Sequence, residues 1–318
     1  MQTKFNLDST ADDVLAGIDL SGKLAVVTGG AAGIGKETAR ALASRGADVV
    51  IGGRNGEELK DAAREISSAG NVLARELDLL SSASVREFAA SVISRDRPVD
   101  LLFLNAGVMA CPLSRNPQGI ETQLATNFVG HACLSSALVP ALLRAAEPRV
   151  IALSSSAHQM SPVVFSDINY ERRAYDPWEA YAQSKTATAL LAVKISLELG
   201  ASGVTAHAVH PGGVMTGLLK HMTGNIAAEL SSRYKFDTSK IKVKTIQEGA
   251  ATSVWAATEP ALRNRPACYL EDCRVAELLD TPIYTRGVMR YALDPENAAA
   301  LWRAAEKLVG ATLPLNAG

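Results

Sequence analysis

What most limits the fold is an alternation that begins at Lys23. Short apolar runs are each followed by a glycine-rich or polar turn and then a helical stretch. The runs at 24–28, 49–51, 72–79, 99–104, 149–153 and 204–209 read as strands. The stretches at 33–45, 56–69, 81–94, 119–146 and 177–199 read as the helices between them. Strands alternating with helices predict an α/β fold: a single-domain, Rossmann-type, doubly wound parallel sheet with helices on both faces. Ligands of such sheets bind beyond the carboxyl ends of the strands. Four motifs fall on that edge: Gly29–Gly35 after the first strand, Asn105-Ala106-Gly107 after the fourth, Ser154-Ser155-Ser156 after the fifth and Pro211-Gly212 after the sixth.

Composition excludes several classes of function. Of 318 residues, 20% are charged and the net charge is −1, which argues against nucleic acid or an acidic membrane as partner and leaves a small molecule. Cys111, Cys133, Cys268 and Cys273 show no CxxC spacing and no nearby histidine cluster, so buried thiols are expected and no metal. The first residues, MQTKFNLDSTADDVLAG, are polar and acidic, and no apolar run reaches 18 residues. A cytoplasmic protein without a membrane segment is the expectation. Residues 1–22 read as an extension in which Ser9 or Thr10 caps a short helix, covering one edge of the domain formed by 23–318.

Glycines at 29, 33 and 35 follow a strand and open a helix, where backbone N–H groups and the helix dipole favour a pyrophosphate. The spacing is G-x-x-x-G-x-G rather than G-x-G-x-x-G. A carboxylate usually stands about 20 residues beyond such a loop in NAD-binding domains. Here the sequence reads Ile51-Gly52-Gly53-Arg54-Asn55, with no carboxylate and an arginine suited to a 2′-phosphate. NADP(H) is therefore expected, with NAD(H) as the alternative. Tyr181 and Lys185 lie one helical turn apart on one face. For a tyrosine to exchange protons near pH 7–8 its pKa must fall by roughly 2–3 pH units, about 3–4 kcal/mol. One cation at about 4 Å supplies roughly that at an effective dielectric near 20.

Together these motifs resemble the short-chain dehydrogenase/reductase superfamily. The residues that carry the likeness are Thr28-Gly29, Gly33-Ile34-Gly35, Asp78-Leu79, Asn105-Ala106-Gly107, Asn127, Ser155, Tyr181, Lys185, Pro211-Gly212 and Thr216. GIGKETA at 33–39, SSSAH at 154–158, the insert at 167–178 and HPGGVMT at 210–216 are similar to the retinol dehydrogenase-like branch. The resemblance implies Tyr181 as general acid/base and Lys185 as the cation that lowers its pKa and binds nicotinamide ribose. It implies Ser155 as the group that positions the substrate oxygen, with Ser154 and Ser156 as alternatives, and Asn127 as the holder of a proton-relay water. Gly29, Ala31, Gly33, Ile34, Gly35, Arg54, Asn55, Asp78, Leu79, Asn105, Ala106, Gly107, Tyr181, Lys185, Pro211, Gly212, Val214 and Thr216 would meet the cofactor.

By the same likeness, residues 213–245 form a substrate lid, with apolar Leu218, Leu219, Met222, Ile226 and Leu230 near helical spacing. Helices over 246–318 complete the domain, with an edge strand at 267–270. Val108, Met109, His158, Met160 and Trp178 are within reach of the site, and a pocket without an arginine cluster points to an uncharged, apolar alcohol, aldehyde or ketone. The insert at 167–178 is expected to loop out, and His158 to be structural or substrate-facing. A dimer or tetramer is expected by analogy, in places through the tyrosine-bearing helix. The competing functions are a cofactor-sensing regulatory protein without turnover, and an epimerase or dehydratase of the same superfamily.

Overall fold

In the computed structural model, residues 3–67, 70–215, 232 and 242–316 are described. Eight strands form the main sheet: β1 (Leu24–Thr28), β2 (Asp48–Gly53), β3 (Val72–Glu76), β4 (Leu101–Leu104), β5 (Arg149–Leu153), β6 (Thr205–His210), β7 (Tyr269–Glu271) and β8 (Arg274–Val275). Their order across the sheet is β8-β7-β6-β5-β4-β1-β2-β3. All neighbours run parallel except β8, which pairs antiparallel with β7. The order reverses between β1 and β4, and the crevice at such a switch point is where doubly wound sheets bind ligands. Along β1 the side chains alternate: Leu24 and Val26 enter one buried apolar cluster, Ala25 and Val27 the other. Both faces are covered, which is why this strand reads as an unbroken apolar run.

The edge-strand expectation for 267–270 is corrected by the hairpin. β7 pairs with β6 on one side and β8 on the other, so the two-residue β8 is the edge. Such a short strand gives little sequence signal. Its turn, Asp272-Cys273, places both residues at positive φ (46° and 55°), where Asn-Gly is the usual pair. Lys244 pairs with Asp272 at 2.6 Å, and the backbone N–H of buried Cys273 donates to the Thr252 hydroxyl oxygen at 3.2 Å.

The helices are α1 (Ala11–Val14), α2 (Gly33–Ala43), α3 (Gly56–Ile66), α4 (Ser82–Ile93), α5 (Gly130–Leu142), α6 (Pro177–Leu199), α7 (Ile246–Thr258) and α8 (Pro295–Val309). The segment expected as one helix over 119–146 is a short α turn at Thr122–Leu124, a π-helical turn at Ala125–Val129 and then α5. Thr10 caps α1, with Asp13 returning the bond to the Thr10 N–H. Ala11, Val14 and Leu15 pack into the apolar cluster shared with α2 and α7, and Asp12 pairs with Arg40 of α2. This extension therefore covers the outside of a helical layer rather than an edge.

α6 starts at an Asp176 cap with Pro177 in its first turn. It is buried without interruption from Ala180 to Val193, as expected of a helix that is apolar or small on all sides. α8 packs along it through Ala298, Leu301, Trp302 and Ala305, and the Trp302 indole donates to the Leu313 carbonyl at 3.1 Å. The insert does not loop out. The Asp167 carboxylate accepts three successive N–H groups (Glu171, Arg172 and Arg173). Gln183 of α6 binds the Val164 N–H, the Ile168 carbonyl and Arg173.

Candidate active site

A cleft of about 840 Å³ runs along the carboxyl ends of β1, β2, β3 and β4. The glycine loop, residues 53–56, residues 77–80, residues 105–109, Thr126 and Leu153 line it. Of the residues expected at the cofactor, Gly29, Ala31, Gly33, Ile34, Gly35, Arg54, Asn55, Asp78, Leu79, Asn105, Ala106 and Gly107 are on this wall. The α helices that start from a loop are capped by side chains, among them Asn55 on α3, Ser81 on α4, Asp294 on α8 and Asp176 on α6; α2 begins at Ala32 with none. Its first N–H groups thus face the cleft without a protein side chain to satisfy them, the arrangement that binds phosphate.

The loop leaves no room for side chains. Gly29 has φ of +69°, and a Cβ on Gly35 would lie 2.3 Å from the Gly29 carbonyl oxygen and 2.4 Å from Asn105 Nδ2. Gly35→Ala should therefore push the loop out of register, lowering both Tm and nucleotide affinity, the latter by at least about tenfold, since phosphate contacts need this backbone approach. Thermal melts with and without NADPH check this; an unchanged ligand-induced shift would contradict it.

Beneath the loop runs a buried polar chain that sequence reading missed. The Thr28 hydroxyl oxygen accepts the Asn105 and Ala106 N–H groups, both at 2.9 Å, and lies 2.9 Å from His131 Nε2. His131 Nδ1 lies 3.0 Å from the Asn127 carbonyl. A carbonyl only accepts, so Nδ1 carries the proton and Nε2 accepts from Thr28. Burial holds this imidazole neutral, with its pKa pulled down to about 4. The sequence signal was a histidine one turn beyond the asparagine.

Asn127 itself clamps the cleft wall. Its Oδ1 accepts the Val108 N–H (2.8 Å), while its Nδ2 donates to the Val108 carbonyl (2.9 Å) and to Ser184 Oγ (2.8 Å). Its carbonyl has two donors already, His131 and the Thr188 hydroxyl. Gly107 lies between this residue and Lys185: a Cβ there would come within 3.0 Å of Asn127 Oδ1 and 3.5 Å of Lys185 Nζ.

Asn127, Ser155, Tyr181 and Lys185 are not on the cleft wall itself; Lys185 stands directly behind its Leu153–Gly107 end. Lys185 Nζ donates to the Leu153 carbonyl at 2.8 Å and is 5.7 Å from the centroid of the Tyr181 ring. The Ser155 side chain stands close enough to the Tyr181 hydroxyl to favour its ionised form. Ser155 Oγ also accepts the Ala157 N–H at 3.2 Å, which fixes its lone pairs and its direction. Ser154 turns away, its hydroxyl donating to the Lys185 carbonyl. Burial pushes the phenol up to about 12, outweighing the effect of Ser155, and pulls the ammonium down to about 8. The expected lowering of the phenol by its lysine is therefore not seen in the protein alone: at this distance desolvation wins.

Past β6, Gly212 (φ +91°) packs on the Lys244 side chain, and Gly213–Val214 pairs with Val243–Lys244. Pro211, Gly212 and Val214 are not on the cleft wall. Thr216 and the apolar lid positions lie outside the described residues. His158 is fully buried, with its ring nitrogens at the Ser155 carbonyl and the Met289 N–H. No group of three or more His, Cys, Asp or Glu that could hold a metal is found among the described residues, and no helix there is long and apolar enough to cross a membrane.

This geometry agrees with the comparisons with known proteins. Residues 23–227 match the model of the short chain dehydrogenase family. A "Probable oxidoreductase" of Streptomyces lividans is 41% identical over 293 residues, covering 90% of this chain and 97% of the relative. The chain belongs to the short-chain dehydrogenase family. Human retinol dehydrogenase 13 is 36% identical over 93% of this chain and 87% of its own length, in keeping with the retinol dehydrogenase-like branch. Among solved structures, the Pseudomonas aeruginosa RhlG/NADP active-site complex is 26% identical, with a TM-score of 0.62 over 80% of this chain and 95% of that one. As a short-chain dehydrogenase the protein is an oxidoreductase with a nicotinamide cofactor and a small-molecule substrate.

Proposed function

We propose that this oxidoreductase uses NADP(H) and moves a hydride between nicotinamide and a largely apolar, uncharged alcohol/aldehyde or alcohol/ketone pair. The observation that carries the reading is the Ser155 side chain beside the Tyr181 hydroxyl, with Lys185 one turn along and behind the Leu153–Gly107 end of the cleft. The residues present fit such a cofactor. The uncapped start of α2 suits the pyrophosphate, and Lys185, with one acceptor at Leu153, keeps N–H groups for ribose hydroxyls. Bound nicotinamide supplies or accepts the hydride. Ser155 orients the substrate oxygen, and Tyr181 gives it a proton in reduction or removes one in oxidation. A phenol held near 12 is loaded with its proton at neutral pH, so the protein alone is set for reduction.

Arg54 supports NADP(H). It is exposed at the end of β2, on the cleft wall, with no hydrogen bond or ion pair among the described residues. Arg54→Ala should raise the KM for NADPH about tenfold or more, the worth of a charge-assisted phosphate contact, and leave that for NADH nearly unchanged. Equal changes for both cofactors would count against the assignment. For the substrate, support comes from the human relative, named for an apolar alcohol, and from apolar Val108 and Met109 on the cleft wall. A screen of aldehydes and ketones following NADPH absorbance tests it; a preference for carboxylates or phosphates would overturn it. The extension 1–22, the catalytic unit 23–318 with its lid at 213–245, and a cytoplasmic location belong to the same proposal. If a dimer or tetramer forms, it must use a surface other than the buried Ala180–Val193 stretch of α6.

A further inference from the structure

His158 and Gln159 follow the catalytic serine in a short 3-10 turn, Ser156–Met160, and both are buried. Their side chains do not face the cleft. His158 Nδ1 lies 2.7 Å from the Ser155 carbonyl and therefore donates to it. Nε2 is then free of a proton, and it accepts the Met289 N–H at 3.2 Å. Gln159 uses its whole amide on one short segment. Its Nε2 donates to the Arg286 and Gly287 carbonyls (2.8 and 3.1 Å), and its Oε1 accepts the Ile283 and Tyr284 N–H groups (2.8 and 2.7 Å). The Tyr291 hydroxyl donates to the His158 carbonyl at 2.7 Å. The far side of the segment is tied as well, since the Gly287 N–H reaches both oxygens of Glu271 at 3.0 Å.

Apart from Ser155, all of these partners lie beyond residue 227, where the match to the family model ends. The catalytic loop of this chain is thus fastened to residues that the common family core does not include. The imidazole bridges the two sides, with Nδ1 on the Ser155 carbonyl and Nε2 on the Met289 N–H, and the Tyr269 hydroxyl stands beside it, 3.1 Å from Nδ1 and 3.5 Å from Ser154 Oγ.

We propose that His158 is a positioning residue for Ser155, and that residues 283–291 act through it as a structural part of the active site. The proposal rests on the reading of Ser155 as the group that orients the substrate oxygen. Without the imidazole the Ser155 carbonyl keeps only the His158 backbone N–H (3.0 Å), and the serine hydroxyl is no longer held toward Tyr181. A misplacement of about 1 Å costs on the order of a hundredfold in rate.

The test is a double-mutant cycle at His158 and Ser155, with NADPH and the best carbonyl substrate of the screen. His158→Phe should lower kcat by about 10–100-fold, with the Kd for NADPH within about twofold of the parent, because no group His158 touches lies on the cofactor wall. His158→Asn, whose Nδ2 can donate as Nδ1 does, should recover about tenfold of that loss. In a Ser155→Ala background, His158→Asn and His158→Phe should have little further effect, because coupled residues are non-additive. Additive losses, equal losses for Asn and Phe, or turnover of His158→Phe within about twofold of the parent would overturn the proposal. If His158→Phe does not fold, the cycle is run with His158→Asn alone, and additivity again overturns it. Tyr181→Phe is run beside it. If that variant loses turnover while His158→Phe retains it, only the positioning role fails; if Tyr181→Phe keeps full turnover, the reading of the site itself fails.

Discussion

Tyr181→Phe is expected to lower turnover by about 10²–10⁴, the usual worth of an acid/base group, while NADPH still binds. The ring is 5% exposed and packs with Ala157 and Trp178, so phenylalanine keeps the packing. What it removes is one hydroxyl, the group beside Ser155. None of the cleft-wall residues that would meet the adenosine half changes its contacts. NADPH titration and steady-state rates on one preparation separate the two effects. A wild-type protein that binds NADPH but turns over no carbonyl would favour a sensing role. A Phe variant with full turnover would remove the phenol from the chemistry. The same phenol sets a pH dependence: alcohol oxidation should climb with pH through the alkaline range as the phenol loses its proton, while carbonyl reduction should hold at neutral pH.

Acidification is expected to unfold the protein between about pH 6.5 and 4. His131, His158 and His207 are at most 1% exposed, and each is held neutral in its network with its pKa pulled from 6.5 to about 4, chiefly by burial. Above pH 6.5 these rings are neutral whether the chain is folded or not, and their contribution is fully present. As pH falls below 6.5 the unfolded chain takes up protons that the folded one refuses, so stability is lost until about pH 4. Each ring accounts for about 3 kcal/mol, and three for on the order of 10 kcal/mol, comparable with the whole stability of an ordinary domain. Glu121 and Glu271, raised by burial, oppose this, because their protonation favours the folded state as pH falls. Backbone N–H groups stabilise both carboxylates and limit those shifts, so the histidines dominate. Thermal melts followed by circular dichroism from pH 7.5 to 4.5 check the sign. A Tm that holds or rises on acidification would contradict it.

The parallel sheet was legible because its strands are apolar on both faces and its turns carry glycine. β5 was read to the residue, since Arg149 and Leu153 are bounded by Pro148 and the serine triplet. The cofactor wall was legible for the same reason: glycines at 29 and 35 are demanded by backbone approaches a Cβ would block. What escaped was long-range and polar. Nothing local shows that Gln183 holds the insert, that Gln159 holds residues 283–287, or that His131 links Thr28 to Asn127, because each bond spans elements whose register the sequence does not display. The π-helical turn at Ala125–Val129 has no compositional mark either. In the protein alone burial raises the Tyr181 phenol, a desolvation cost that a pairwise Coulomb argument leaves out.

The cover over α6 has a consequence for how the chain is made. The ribosome completes α6 about 100 residues before it reaches α8, a delay of roughly 5–20 s at ordinary elongation rates. Through that interval the flank of the tyrosine helix that Leu301 and Trp302 will later seal is bare. Leu313 and Leu315 arrive later still. Nascent chains stalled between α6 and α8 should therefore be bound by a trigger-type holdase at this flank and be released once residues 295–315 have emerged.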